Sequence, residues 1–315
     1  MGSNVTPSPD VSVVIPVYRG EESIEILTSR LHDSLTSKGL TFEIILVDDC
    51  SPDSCWLLMK AMKERHSDHL RIVRLLRNCG QHNATLCGLS LARGAVVVTM
   101  DDDLQNPPEE VPKLIEAVQS GYDLAIAAYD SKKHSGVRNF SGRMIDSLLR
   151  RIFGLPPNFQ LTSFRAIRQS VVSNVCQMGG AFPYMTAMLF ANASRYVNVP
   201  VRHEPRKFGK SNYNLKRSFR LAANLVLNYS SYPLRFIAMA CLAALVFAVG
   251  YGMFVFIRAL TQGTPVSGWA SLIVMMSFFN GLLLLCIAIL ALYISRINQQ
   301  VTRTRLTYMI GEIHE

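Results

Sequence analysis

Two groups of carboxylates carry the chemistry this sequence offers. Asp48 and Asp49 stand in "EIILVDDCSPDS", and Asp101, Asp102 and Asp103 stand in "TMDDDLQNPPEE". Each group directly follows a β-branched apolar run. A single acidic group at a strand end is also what a turn or a helix cap requires. Two such groups on one edge are harder to explain that way. Three consecutive carboxylates repel one another unless a cation sits among them. Asp101 and Asp103, alternate residues of an extended turn, face the same way and can share one hard divalent ion, Mg²⁺ or Mn²⁺. Such an ion completes its shell with substrate phosphates, so the chemistry expected is that of a diphosphate. Neither G-x-G-x-x-G after the first strand nor G-x-x-x-x-G-K-[ST] anywhere is present. That argues against a dinucleotide dehydrogenase and a P-loop NTPase.

Positioning these acids calls for an α/β frame. Short β-branched runs at Val11–Val17, Phe42–Val47, Arg71–Leu75, Ala95–Met100 and Asp123–Ala128 alternate with helix-like stretches near 22–36, 53–65, 83–92 and 109–120. This alternation predicts parallel strands joined by helices. Pro108 followed by Glu109 and Glu110 is a helix opening, with proline near the first helical position and acids in the first turn. In open α/β sheets the ligand crevice lies beyond the carboxyl ends of the strands. Those ends carry "PVYRGEES", "DDCSPDS" and "DDDLQNPPEE".

The chain of 315 residues is 49% hydrophobic and 17% charged, with a mean hydropathy of +0.20. That apolar mass excludes disorder, and the charged fraction is well below the about 25% usual in soluble domains. A formal charge of +9 points to anionic partners: a nucleotide, a phosphate or an acidic membrane face. No nucleic-acid partner is expected, because the basic residues gather beside apolar runs. The seven cysteines are odd in number and show no C-x-x-C, which reads as reduced thiols without a zinc site.

The apolar excess is concentrated. Phe236 to Ile257 and Trp269 to Ser295 contain no charged residue. At about 1.5 Å per residue each run covers a hydrocarbon core of about 30 Å. Arg202, Arg206, Lys207, Lys210, Lys216, Arg217, Arg220 and Arg235 precede the first run, and Arg296, Arg303 and Arg305 follow the second. The positive-inside rule places both flanks in the cytoplasm and makes the runs a transmembrane hairpin. The expected organisation is a flexible N-terminus (1–10), an α/β domain (11–200), a basic amphipathic juxtamembrane region (201–235), a hairpin (236–257 and 269–295) and a cytoplasmic tail (296–315). "RMIDSLLRRIF" at 143–153 and "LKRSFRLAANLVLNY" at 215–229 are basic amphipathic stretches suited to an anionic interface.

The motifs "VSVVIPVYRGEESI", "EIILVDDCSPDS", "RNCGQHNATLCGL", "TMDDDLQNPPEEVPKLI" and "RKFGKSNY" together resemble the polyprenyl-phosphate glycosyltransferases. These are membrane-anchored GT-A enzymes that include dolichyl-phosphate mannose synthase, bactoprenol glucosyltransferases and the aminoarabinose transferase of lipid A modification. "GQHNA" and "DLQNPPEE" are most similar to the aminoarabinose branch. The resemblance covers nearly the whole chain. It implies a GT-A nucleotide-sugar-binding fold, a nucleotide-sugar donor (a UDP-sugar favoured), a polyprenyl (undecaprenyl) phosphate acceptor and a Mg²⁺ or Mn²⁺ cofactor. It further implies an integral protein of the cytoplasmic membrane, with a tetramer as its oligomeric state. By the same resemblance Pro16, Tyr18, Val47 and Asp49 hold the nucleoside, with Asp49 accepting from a base N–H. Asp101, Asp102 and Asp103 match the acid-x-acid motif, and Gln105 matches a metal-side glutamine. Arg165, in "FRA", matches an acceptor-side segment, and Arg206 matches a basic residue near the donor phosphates or the acceptor, with Lys210 close by.

Four positions depart from the family pattern. Gly20 stands where an acid is usual, Tyr129 where many members have arginine, and Asn212 where a lysine is usual. Phe159 takes the place of an aspartate often proposed as a base. A missing base does not exclude transfer to a phosphate monoester, whose second pKa of about 6 delivers it largely as a dianion. Positioning and leaving-group stabilisation then suffice. Asp103, Arg165, Arg206 and Lys210 are the expected catalytic residues of an inverting displacement. Two rivals stand beside this reading: a scaffold or regulatory subunit that kept the fold and lost the chemistry, and a polysaccharide synthase. The synthase lacks support, since neither tryptophan follows an arginine in a Q-x-x-R-W motif.

Overall fold

The computed structural model describes residues 8–65, 68–129, 150, 154–156, 159–178, 184–205, 269–302 and 308–315, together with scattered positions between 237 and 268. Arg206, Lys210 and Asn212, and both amphipathic stretches apart from Arg150, lie outside the described residues. The chain divides into two compact units, Met1–Leu215 with Arg303–Glu315, and Lys216–Thr302.

In the first unit the elements run β1 (Val11–Val17), α1 (Ile24–Thr36), β2 (Phe42–Asp48), α2 (Cys55–Arg65), β3 (Leu70–Leu75), α3 (Gln81–Leu91) and β4 (Val96–Thr99). A 3₁₀ turn (Pro108–Glu110) then leads into α4 (Val111–Gln119), followed by β5 (Leu124–Tyr129) and β6 (Arg165–Arg168). α5 (Gln169–Gln177), α6 (Met185–Asn192) and β7 (Tyr196–Val201) complete the run, and β8 (Ile310–His314) lies near the end of the chain. Each expected strand is present within a residue of its predicted ends.

The strands form one sheet in the order β7-β5-β6-β4-β1-β2-β3-β8. β1, β2, β3 and β4 are parallel, as the alternation predicts. The sheet as a whole is mixed, because β6 runs antiparallel to both β4 and β5, and β8 antiparallel to β3. β1 and β2 are buried along their whole length, which is why they read as unbroken apolar runs and not as alternating ones. One face packs on α1, α2 and α4, the other on α3, α5 and α6, giving a core on each side of the sheet. In α1, Ile24, Leu27, Leu31 and Leu35 are buried at helical spacing. Gly88 lets α3 approach β1, since a Cβ there would collide with the side chain of Val14.

The expected tail is in part a strand. β8 extends the sheet beside β3, and its Glu312 accepts from Trp56 Nε1 at 3.2 Å and pairs with Lys60 at 2.8 Å. Tyr308 is buried against α3, with its hydroxyl 2.9 Å from Ser90 Oγ.

In the second unit, α7 (Trp269–Thr302) is a single helix of 34 residues. Leu272, Met276, Phe278, Leu283, Leu284, Leu285 and Ile294 on it are exposed. The described residues between 237 and 261 are helical as well. Among the described residues no helix is long and apolar enough to cross a membrane.

Candidate active site

The strand order reverses at β1, which has β2 on one side and β4 on the other, so the loops after these three strands open onto one crevice. Each loop holds one non-glycine residue in the left-handed region: Arg19 at φ 60°, Cys50 at φ 56° and Leu104 at φ 59°. No other described non-glycine residue has positive φ. Strain of this kind collects where a fold must aim functional groups.

The three consecutive aspartates have different partners. Asp101 accepts from Gln81 Nε2 and from Ser163 Oγ, each at 2.5 Å. Asp102 turns toward the β1 loop, where Tyr18 N–H donates to its Oδ2 at 3.3 Å. Asp103 accepts from the Gln105 N–H at 3.1 Å and so closes its own turn. Asp101 and Asp103 are thus both held by neighbouring donors, Asp101 through side chains and Asp103 through the backbone of its own turn. Among the described residues no three His, Cys, Asp or Glu side chains are grouped to hold an ion. The donor set nevertheless fits a hard cation that takes the rest of its shell from phosphate oxygens. Burial, with the charges of Asp101 and Asp103, pushes the Asp102 carboxyl up to about 7. Burial is the larger cause, and the two neighbouring carboxylates add to it.

Gly20 has a local reason. A Cβ there would lie 2.6 Å from Asp102 Oδ2 and 2.9 Å from Val17 Cγ1. An acid at position 20 would collide with the carboxyl that Gly20 accommodates.

The expected nucleoside residues divide. Tyr18 is exposed at the rim, and Pro16 lines the cavity that lies behind Asp101. Val47 is fully buried in the core, and Asp49 is almost so. The oxygens of Asp49 accept from the N–H groups of Cys79 and Gly80 at 2.6 and 2.8 Å, fixing the loop that opens α3. Burial raises the Asp49 pKa against the effect of those two bonds.

Behind Asp101 lies a polar chamber of about 210 Å³, lined in part by Gln81, His82, Ser163, Arg165, Tyr184 and Thr186. Arg165 is buried in its wall, donating to Ser163 O at 3.3 Å and Thr186 Oγ1 at 3.5 Å. Burial lowers its pKa to about 10, which leaves it cationic near neutrality. The His82 ring meets Tyr184 edge-on at 5.1 Å, and burial together with the Arg165 charge lowers its pKa to about 4. The sequence singles out Arg165 but does not join it to His82. Ser163, Tyr184 and Thr186 escape sequence reasoning altogether, since lone hydroxyls carry no spacing signal.

Phe159 is core. Its ring lies 5.8 Å from Phe190 and 5.3 Å from Tyr196, in an aromatic cluster with α6 and β7. The next residue, Gln160, clamps the end of β5, accepting from Tyr129 N–H at 3.0 Å and donating to Tyr129 O at 2.9 Å.

A mixed sheet with acids at the carboxyl end of β4, beside a crevice at the strand-order reversal, defines a GT-A glycosyltransferase-type domain. Residues 12–176 match the family model described as glycosyl transferase family 2, and the chain belongs to that family. It is 33% identical over 311 residues to the undecaprenyl-phosphate 4-deoxy-4-formamido-L-arabinose transferase of Klebsiella pneumoniae (strain 342), covering 98% of this chain and 94% of that protein. Against the protein of the same name from Edwardsiella ictaluri (strain 93-146) it is 31% identical over 305 residues, covering 96% and 94%. Among solved structures, glucosyl-3-phosphoglycerate synthase from Mycobacterium tuberculosis, in complex with Mn²⁺, UDP and glucosyl-3-phosphoglycerate, superposes with a TM-score of 0.51 at 19% identity. That match covers 70% of this chain and 78% of the other. Mannosyl-3-phosphoglycerate synthase from Rubrobacter xylanophilus gives 0.52 at 17% identity, covering 69% and 72%. At these identities the two structures speak to the fold alone.

Proposed function

We propose that this protein transfers a glycosyl group from a nucleoside-diphosphate sugar, a UDP-sugar by preference, to a polyprenyl phosphate such as undecaprenyl phosphate, with inversion. The observation that carries the reading is the Asp101–Asp103 loop at the carboxyl end of β4, strained at Leu104 and opening onto the crevice and the chamber. Full-length similarity to undecaprenyl-phosphate sugar transferases supports the acceptor.

Asp101, Asp103 and Gln105 would hold a divalent cation, Mn²⁺ or Mg²⁺, which when bound offsets negative charge on the departing diphosphate. The chain's own residues do the rest. Pro16 and Tyr18 border the nucleoside, and Asp49 keeps the Cys79–Gly80 loop in place beneath it. The chamber receives the sugar ring, with Arg165 and the hydroxyls of Ser163, Tyr184 and Thr186 as its polar contacts. This moves Arg165 from the acceptor side, where the resemblance puts it, to the donor sugar. Arg206 and Lys210 steady phosphate charge, arginine by bidentate contact. The phosphate dianion needs no base, so a phenylalanine at 159 costs the reaction no proton-transfer step.

The acceptor's tail places the reaction at a membrane. The uncharged runs 236–257 and 269–295, the exposed apolar side chains of α7 and the basic flanks support a hairpin that crosses the cytoplasmic membrane. β8 pairs with β3, so any membrane crossings in the chain between these two strands are even in number. Asp103→Ala is expected to abolish Mn²⁺-dependent transfer while leaving the circular dichroism of the purified protein unchanged. Full activity in that variant would refute the assignment.

A further inference from the structure

Tyr129 stands at the end of β5, where many relatives have arginine. Its hydroxyl donates to Asn106 Oδ1 at 2.7 Å, and Asn106 is buried at the close of the Asp103–Asn106 turn. Its ring is covered by His203, with centroids 4.2 Å apart. His203 belongs to a strap, residues 202–205, that follows β7 and lies along the same turn. Within the strap, Glu204 N–H donates to Gln105 O at 2.9 Å. Arg202 Nε donates at 2.6 Å to Glu110, a buried carboxylate that Lys113 also holds. Glu204 lies 3.7 Å from Arg30, which grips Glu109 with two bonds of 2.9 and 2.8 Å.

The Asp103 turn is therefore gripped from outside at two successive residues, Gln105 through its carbonyl and Asn106 through its side chain. It needs that grip. Leu104 sits at φ 59°, a conformation that costs a residue other than glycine about 1 kcal/mol or more and relaxes unless its neighbours over-determine it. Asp103 lies on one side of Leu104, and both held residues lie on the other.

We propose that Tyr129 is a positioning residue: through Asn106, and with the strap pressed over its ring, it fixes the strained turn that presents Asp103 to the cation and the diphosphate. Burial and the nearby charges of Asp101 and Asp103 push its phenol up to about 12, so it remains an O–H donor throughout the working range. On this account the residue that replaces arginine bears on the metal turn and leaves the acceptor phosphate alone. The inference rests on the glycosyltransferase reading.

The test uses the full chain in detergent, with Mn²⁺ binding in the presence of UDP followed by electron paramagnetic resonance, so that no turnover is involved. Tyr129→Phe keeps the ring on His203 and removes the hydroxyl's bond to Asn106. It is expected to weaken Mn²⁺ binding about fivefold, the worth of one neutral hydrogen bond. Asn106→Ala should do the same, and the double variant should be no weaker than the poorer single one. In turnover, Tyr129→Phe should raise the Mn²⁺ requirement and leave the KM for undecaprenyl phosphate unchanged. An unaltered Mn²⁺ titration, additive single effects or a raised KM for the lipid would each overturn the proposal. A wild type that binds no Mn²⁺ with UDP sinks the parent reading and this one together.

Discussion

At the scale of the residue, the departures at Gly20 and Tyr129 have local causes. Gly20 is small because the Asp102 carboxyl occupies the space a side chain would need. Tyr129 is spent on the turn beside Asp103. Asp102 itself yields a pH prediction. Its folded pKa is raised to about 7 from the ordinary 3.8 of an aspartate, so the folded state binds the proton more tightly than the unfolded one. The stability this contributes is complete below about pH 4 and is lost as pH rises through 7. Metal-depleted protein should therefore melt lower at pH 8 than at pH 5, and saturating Mn²⁺ should narrow that gap. Thermal unfolding at the two pH values, with and without Mn²⁺, reads this directly; a metal-independent difference contradicts it.

At the scale of the element, the segment 159–165 leading into β6 decides what replaces the missing aspartate. Phe159 joins α6 and β7 through Phe190 and Tyr196, while Gln160 and Thr162 tie the same segment to β5. Phe159→Asp would place a carboxylate among aromatic rings and leave a cavity. It should destabilise the protein by roughly 3 kcal/mol or more and yield no gain in transfer rate. Denaturant unfolding with a parallel transfer assay checks both, and a stable, faster variant would show that the position faces the reaction. The elements that are legible in the sequence are those whose burial is local. β1 and β2, buried on both faces, read as unbroken apolar runs, and α1 shows its stripe. β6 and β8 escape because their partners are distant: Arg165–Arg168 is a short run that pairs with β4 and β5, and Ile310–His314 pairs with β3 across most of the chain. The chamber escapes for the same reason. Gln81, the Ser163–Arg165 segment and Tyr184 come from separate parts of the chain and meet only when the sheet is assembled.

At the scale of the whole molecule, a GT-A unit with its acids at the strand-order reversal is interrupted by one largely apolar unit and then resumes with β8. The proposed transfer, from a water-borne nucleotide donor to a lipid phosphate, is consistent with that arrangement. The measurement that bears most directly on it is mass spectrometry of the lipid after the purified full chain, in nanodiscs containing undecaprenyl phosphate, is incubated with Mn²⁺ and a panel of UDP-sugars. A lipid species heavier by one glycosyl residue, formed with at least one donor and absent when the metal is chelated, is the expected result. Undecaprenyl phosphate recovered unchanged with every donor of the panel would contradict the account.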